Sequence, residues 1–336
     1  MSDIDEASTM NNHSQAAIAV IIPCYRVANK IESVIEAIPL YVKFIICVDD
    51  ACPERSGEFI QSNITDHRLK VLFHEKNKGV GGAMVTGYKA ALEMRADIAV
   101  KIDGDGQMNP SLISFFVDPI ASGLADYCKG NRFFLPEYVK DMPLVRLIGN
   151  GALSFLTKFS SGYWNIFDPT NGYTAIHTRA LKNIPLEKLS NNYFFETDLL
   201  FRLNILGAVV CDIPMHGVYQ DEKSNLKIAN ILPTFLIGHI KNFVKRIFYS
   251  YFLRDFNIAS IELVLGSFLF LFGLMYGLLK WNDSIVTATT ASAGTVMLSA
   301  LPLLIGFQLL LSFLHYDIQS VPRNPLHKFL KDDQHG

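Results

Sequence analysis

Two carboxylates stand two residues apart in Asp103-Gly104-Asp105-Gly106-Gln107, directly after the apolar run ADIAV. Carboxylates at i and i+2 around a glycine can reach one hard cation, and Gln107 offers a further oxygen. Magnesium or manganese held this way keeps positions open for substrate phosphates. An ordinary acidic turn would have the same composition. Asp49 and Asp50 end the earlier run FIICV in a similar manner. An acid there can accept a hydrogen bond from a ribose or a base N–H, or it can cap a turn in DDACPERSG. The stretch NKGVGGAMVTG, residues 77–87, is glycine-rich and precedes a helical pattern. Helix N-terminal amides can meet a phosphate. The stretch lacks the Gly-Lys-Ser/Thr ending of a P-loop, and close packing asks for the same glycines.

These residues need elements to position them. Residues 17–215 alternate short β-rich runs with amphipathic segments. AIAVIIP, FIICV, KVLFH, ADIAVKI, DYCKG and AVVCDIPM read as strands. Residues 28–37 and 82–95 read as helices. FFETDLLFRLNILG is helical with Gly207 as its C-cap. Such alternation implies an α/β domain with a mostly parallel sheet covered on both faces. Ligands then sit beyond the carboxyl ends of the strands, where Asp49, Asp50, Asp103 and Asp105 all fall.

The character changes near residue 230. LPTFLIGHIKNFVKRIFYSYFL keeps large apolar residues on one face and His239, Lys241, Asn242, Lys245 and Arg246 on the other, as a helix lying in a membrane interface does. Residues 258–279 and 291–314 are apolar runs with Glu262 as their single charge. Spanning takes roughly 20 apolar residues, so both are long enough, and the short link makes them a hairpin. Lys241, Lys245, Arg246 and Arg254 precede the hairpin and Arg323, Lys328 and Lys331 follow it, while the link holds only Lys280. The positive-inside tendency puts both ends and the α/β domain in the cytoplasm. Gly266, Gly273 and Gly277 would permit close helix contacts, and a homo-oligomer is possible.

The bulk composition agrees. Half of the 336 residues are hydrophobic and mean hydropathy is +0.23, as for a soluble part joined to a membrane part. A net charge of −2 gives no basic field for nucleic acid. Five scattered cysteines without a CxxC pair argue for reduced thiols rather than a disulfide framework or a zinc site. The first 16 residues are polar and acidic, carry no secretory signal and are expected to be disordered. The expected organisation is a disordered 1–16, a catalytic domain at 17–228, juxtamembrane amphipathic helices at 229–257, two transmembrane helices at 258–316 and a cytoplasmic tail at 317–336.

Seven segments together resemble a known family: VIIPCYR, CVDDACPERSG, NKGVGGAMVTG, KIDGDGQMNP, KGNRF, DPTNGYTAI and FFETDLL. They occur in the order of the family 2 GT-A glycosyltransferases, in the branch that uses polyprenyl phosphates, of which dolichyl-phosphate mannose synthase is the best-known type. The resemblance covers residues 18–227 and implies a GT-A, Rossmann-like domain. It implies that Pro23 and Tyr25 sit where the first strand meets the nucleotide, that Asp50 binds the base with Asp49 beside it, and that Asp103, Asp105 and Gln107 bind Mg2+ or Mn2+ bridging the donor diphosphate, with Asp103 also on the nucleotide-sugar. It implies that Arg132 and Arg146 grip the lipid phosphate, a task suited to a planar, always-charged fork. Asp168 would face the reacting centre, and Glu196 and Asp198 would form the acidic pair near the acceptor, although i and i+2 on a helix do not share a face.

The chain departs from the branch at its Arg-x-x-Gly-x-Ser-Lys segment, which reads YQDEKSNLK here, with Lys223, Ser224 and Lys227 in its place as expected lipid-phosphate contacts. It also lacks the Gln-x-x-Arg-Trp motif of processive polymer synthases. The implied activity is inverting transfer of one sugar from a UDP- or GDP-linked donor to undecaprenyl or dolichyl phosphate, giving a lipid-linked monosaccharide for cell-envelope glycans at a bacterial inner membrane. Transfer to a sugar hydroxyl of a lipid-linked acceptor, which needs a base, is the alternative within enzymes. A non-catalytic membrane scaffold is the alternative outside them.

Overall fold

The computed structural model describes residues 16–135, 137, 144–216 and 228–330, with backbone only at residues 145, 146 and 228–232. The chain divides into two compact units, residues 1–243 with 322–336, and residues 244–321.

The first unit is built on seven strands: β1 (Ile18–Cys24), β2 (Phe44–Asp49), β3 (Leu69–Phe73), β4 (Ile98–Lys101), β5 (Tyr127–Asn131), β6 (Thr174–His177) and β7 (Val210–Pro214). Between them run α1 (Ile31–Glu36), α2 (Ser56–Asn63), α3 (Gly79–Glu93), α4 (Ile113–Ala121), α5 (Leu144–Ser161), α6 (Thr178–Lys182) and α7 (Phe195–Leu206). The strands lie in the order β3-β2-β1-β4-β6-β5-β7. All pairings are parallel except those of β6, which runs antiparallel between β4 and β5. This is the mostly parallel sheet that the alternating pattern implies.

Local causes are plain. β1 is apolar at nearly every position and buried on both faces, the signature of a central parallel strand. α7 stops where Gly207 takes φ of 80°, an αL conformation that glycine adopts without strain. Among the elements that escape the sequence pattern are α2, α4, α6 and β6. Four residues, Thr174–His177, are too short to show a period.

Two further pieces belong to this unit. The first part of α8 (Ile228–Phe248) turns polar residues inward. His239 Nδ1 meets Ser160 Oγ at 2.8 Å, Asn242 Nδ2 donates to Asp198 Oδ1 at 3.2 Å, and Phe235 packs edge-on to Phe194. Leu236, Ile237 and Ile240 stay exposed. His239 and Asn242 of the polar stripe therefore dock on the first unit, while Lys241 stays open beside Leu236, Ile237 and Ile240. The second piece is the segment after Pro322. Asp126, just ahead of β5, accepts backbone hydrogen bonds from Leu326 and His327, each at 2.7 Å, and the ring of His327 at 2.6 Å. The His327 ring stacks on His177.

The second unit contains the end of α8, a π-helical turn at Tyr249–Arg254, and the long helices α9 (Ile258–Thr287) and α10 (Ala293–Gln319). Both long helices are long and apolar enough to cross a membrane, and little of either is buried. They pack on each other through small residues. A Cβ at Gly273 would meet Leu303 N at 2.6 Å, and one at Gly306 would meet Gly266 O at 2.8 Å. Gly266 and Gly273 are thus spent inside the hairpin. A buried ion pair closes its base: Arg246 donates to both oxygens of Asp317 at 2.6 and 3.0 Å, and Tyr251 Oη donates to the same carboxylate at 2.6 Å.

Breaking one partner of a buried pair strands the other charge, which typically costs about 3–5 kcal/mol, whereas an apolar replacement of both is often neutral. Arg246→Met should therefore lower the unfolding midpoint of the detergent-solubilised chain markedly, and Arg246→Met with Asp317→Leu should recover most of the loss. Equal destabilisation by the double variant would show that the pair itself is not what holds the base.

Candidate active site

The acidic motif sits at the carboxyl end of β4, and the residue that organises it is Lys101. This lysine ends the strand, is 2% exposed, and points its ammonium at three acceptors. Nζ lies 2.9 Å from Asp103 Oδ1, 3.4 Å from Glu196 Oε1 and 3.1 Å from Gly172 O. Burial alone would lower the Lys101 pKa, but the charges of Asp103 and Glu196 outweigh it and hold the ammonium protonated. Asp103 remains about a third exposed. Asp105 accepts from Gln107 N at 3.0 Å, and Gly106 turns the loop with φ of 75°.

Asp103 and Asp105 present oxygen donors alone, a hard set that suits magnesium or manganese. Among the described residues no group of three or more His, Cys, Asp or Glu side chains is gathered around one point. Two carboxylates suit a cation whose remaining ligands are phosphates and water.

Asp49 and Asp50 end β2 in the same layer and are held as caps. Asp49 accepts from Cys52 N at 2.7 Å and Gly57 N at 2.6 Å. Asp50 accepts from Lys78 N, Gly79 N and the His74 ring at 2.7 to 2.8 Å. The next amides of α3, Gly81 and Gly82, donate to Asn191 O. A Cβ at Gly81 would collide with the backbone of Ser190 and Asn191. The glycine-rich stretch therefore serves close backbone packing, and its first-turn amides are taken by protein acceptors. Pro23 and Tyr25 stand at the carboxyl end of β1, beside the end of β2, with Tyr25 exposed.

Across the sheet, Arg132 and Asp168 form one unit. Asp168 is fully buried and accepts from Arg132 Nε at 2.7 Å, from its Nη2 at 2.9 Å and from its backbone N at 3.1 Å. Burial pushes the Asp168 carboxyl up, but the hydrogen bonds and charge of Arg132, aided by Lys129, leave it below the usual carboxylate range. Arg132 also donates to Thr170 Oγ1 at 3.0 Å. Glu196 and Asp198 separate as helical geometry requires. Glu196 faces Lys101, whereas Asp198 binds Ser190 N, Arg202 and Asn242. The side chain of Arg146 on α5, and Lys223, Ser224 and Lys227, lie outside the described residues.

Sequence reasoning overlooked the residues beneath the site. Lys101, Thr174, Lys129 and Asp212 stand in register across β4, β6, β5 and β7. Lys129 is fully buried, donates to Asn171 O, and has its pKa pulled down to about 8 by burial. Asp212 accepts from Asn131 Nδ2 at 2.7 Å and Phe167 N at 3.1 Å. Its other oxygen has no partner among the described residues, and burial raises its pKa to about 6. The available signal was a lysine within each of two strand-forming runs, ADIAVKI and DYCKG.

With this geometry in view, similarity to known proteins becomes specific. The family described as Glycosyl transferase family 2 matches residues 19–184. The UDP-N-acetylglucosamine–dolichyl-phosphate N-acetylglucosaminyltransferase of Methanococcus voltae is 30% identical over 234 residues, which cover 66% of this chain and 92% of that protein. The undecaprenyl-phosphate mannosyltransferase of Micrococcus luteus is 28% identical over 61% of this chain and 84% of its own. The fold is similar to glucosyl-3-phosphoglycerate synthase from Mycobacterium tuberculosis, crystallised with Mn2+, UDP and glucosyl-3-phosphoglycerate. That likeness has a TM-score of 0.54 at 18% identity and covers 71% of this chain and 83% of that one. The chain belongs to glycosyl transferase family 2, in the polyprenyl-phosphate branch of its GT-A members. It is a glycosyltransferase.

Two buried groups give opposing pH dependences. Asp212 is raised from its ordinary value to about 6, so the folded state binds the extra proton and stability falls as pH rises from about 4 to 6. His239 is lowered by burial to about 4, so the unfolded state binds the extra proton and stability rises as pH rises from about 4 to 6.5. Each shift of about two pKa units corresponds to roughly 3 kcal/mol at most. Unfolding of the detergent-solubilised chain, followed from pH 4 to 7, should become steeper in the rising sense for Asp212→Asn and in the falling sense for His239→Gln. Parallel curves for wild type and either variant would contradict the assignment.

Proposed function

We propose that the chain transfers one sugar, with inversion, from a UDP- or GDP-linked donor to a polyprenyl phosphate at the cytoplasmic face of a membrane. The observation that carries this reading is a DxDxQ motif at the carboxyl edge of a GT-A sheet in the same chain as two helices of spanning length. The Methanococcus and Micrococcus relatives, named for transfer to dolichyl phosphate and undecaprenyl phosphate, support the acceptor class. Basic residues on both sides of the hairpin, with Lys280 alone in the link, support the cytoplasmic orientation.

Asp103 and Asp105, with Gln107, would hold a magnesium or manganese ion, which offsets charge on the departing nucleoside diphosphate. A phosphate oxygen of the acceptor attacks the anomeric carbon from the face opposite the diphosphate. The bond from that carbon to the diphosphate oxygen breaks, and its electron pair leaves with the nucleotide. The acceptor phosphate is already an anion at neutral pH, with a second pKa near 6, so no proton has to be removed. The acids of this site agree with that economy. Asp168 is held low by Arg132, and Glu196 faces the Lys101 ammonium, so neither is poised as a strong base. Asp168 instead takes one edge of the Arg132 guanidinium and fixes its orientation, so that its charge stands at a set place on the acceptor side. Arg146, by its place in the sequence, would supply the second fork. Pro23, Tyr25 and Asp50 would border the nucleotide, and Lys223, Ser224 and Lys227 would join the arginines on the lipid phosphate.

Asp105→Asn should leave the circular dichroism spectrum unchanged and cut magnesium- or manganese-supported turnover by on the order of a hundredfold. Near-wild-type turnover by a folded Asp105→Asn chain would remove Asp105 from the metal site. Arg132→Lys should raise the apparent KM for polyprenyl phosphate by about tenfold or more, since a point charge does not reproduce the fork. Steady-state kinetics with each substrate varied should show the donor KM unmoved, and a shift confined to the donor KM would transfer Arg132 to the other side of the site.

A further inference from the structure

Two lysines lie buried under the site. Lys101 and Lys129 are 2% and 0% exposed and flank Thr174 in one register row. Burying an ammonium is expensive unless its protons are used. Their targets are adjacent: Lys129 donates to the carbonyl of Asn171 and Lys101 to that of Gly172. Those two carbonyls close the loop 168–172, which carries Asp168 and Thr170, the partners of Arg132. Lys101 alone also holds Asp103 and Glu196. Gly172 presses so closely that a Cβ there would run into Lys101 Nζ and come within 2.9 Å of Asp103 Oδ2.

We infer that Lys101 and Lys129 are paired positioning residues: Lys129 moors the acceptor-side loop 168–172, and Lys101 ties that loop to the donor-side carboxylate Asp103. The inference deepens the proposed function and rests on it for which substrate lies on which side. The mooring itself does not depend on that reading. Neither lysine touches the reacting atoms. Lys129 acts through the loop on Arg132, so its loss bears on one substrate. Lys101 acts on both the loop and Asp103, so its loss bears on two.

The test uses the full chain in detergent and the variants Lys129→Met, Lys129→Gln, Lys129→Arg and Lys101→Met. Hydrogen exchange of the amides at 168–173 reads the mooring without any substrate. It should accelerate in Lys129→Met and Lys129→Gln and return toward wild type in Lys129→Arg, which keeps a donor. Kinetics with undecaprenyl phosphate and the donor that supports turnover reads the division of labour. Lys129→Met should raise the lipid-phosphate KM by about tenfold, the worth of one buried hydrogen bond, and spare the donor KM. Lys101→Met should raise both KM values. Unchanged exchange at 168–173 in a folded Lys129→Met or Lys129→Gln chain would overturn the mooring. Equal shifts of both KM values in Lys129→Met would overturn the division of labour. If the wild type shows no turnover with either undecaprenyl or dolichyl phosphate, the proposed function fails, and the exchange comparison still decides the mooring.

Discussion

Carboxylates gathered at one edge of a sheet repel one another, and the carboxyl edge of this sheet is arranged around that constraint. Each acid there is fixed by its own donor set. Asp49 and Asp50 take backbone amides at turns and at the start of α3. Asp168 takes the Arg132 fork. Asp103 and Glu196 share the Lys101 ammonium, which lets two like charges approach without being pushed apart. Asp105, at the turn of the loop, is bound to its own backbone at Gln107. The charge pattern thus runs from compensated acids inside to Asp105 at the loop turn, an order that suits the proposed cation.

The same economy governs the polar groups outside the site. His239 and Asn242 face inward on α8, where Ser160 meets His239 Nδ1 and Asp198 accepts from Asn242, leaving Leu236, Ile237, Ile240 and Lys241 open. Apolar residues and a lysine on one open face suit a surface that meets lipid. The chain returns after the hairpin and pins Leu326 and His327 to Asp126, at the end of the sheet away from the acidic motif. The chain up to residue 243 and again from residue 322 belongs to the first unit, and the hairpin to the second.

Much of the sheet was legible because buried parallel strands read as continuous apolar runs, as IAVIIPC does. The acidic motif was legible because its two carboxylates follow such a run. The divergence of Glu196 and Asp198 was legible from helical geometry alone. The pairing of Arg132 with Asp168 was not, since the two are 36 residues apart and local spacing carries no trace of them meeting. The buried lysines were not read either. A lysine at the end of an apolar run looks like the point where a strand reaches solvent, and only the register of β6 between β4 and β5 places Lys101, Thr174 and Lys129 in one row. That strand was itself hidden by its length. The inward face of α8 was hidden because amphipathicity shows that two faces differ, not which one is covered.

The central claim is that a polyprenyl phosphate, not a sugar hydroxyl, is the acceptor. The direct measurement is to incubate the full chain with manganese, undecaprenyl phosphate and a panel of UDP- and GDP-sugars labelled in the sugar, and then to expose the lipid product to mild acid. The account predicts one labelled sugar per lipid and release of that label by mild acid, as a glycosyl phosphate requires. A lipid product whose label withstands mild acid would contradict it.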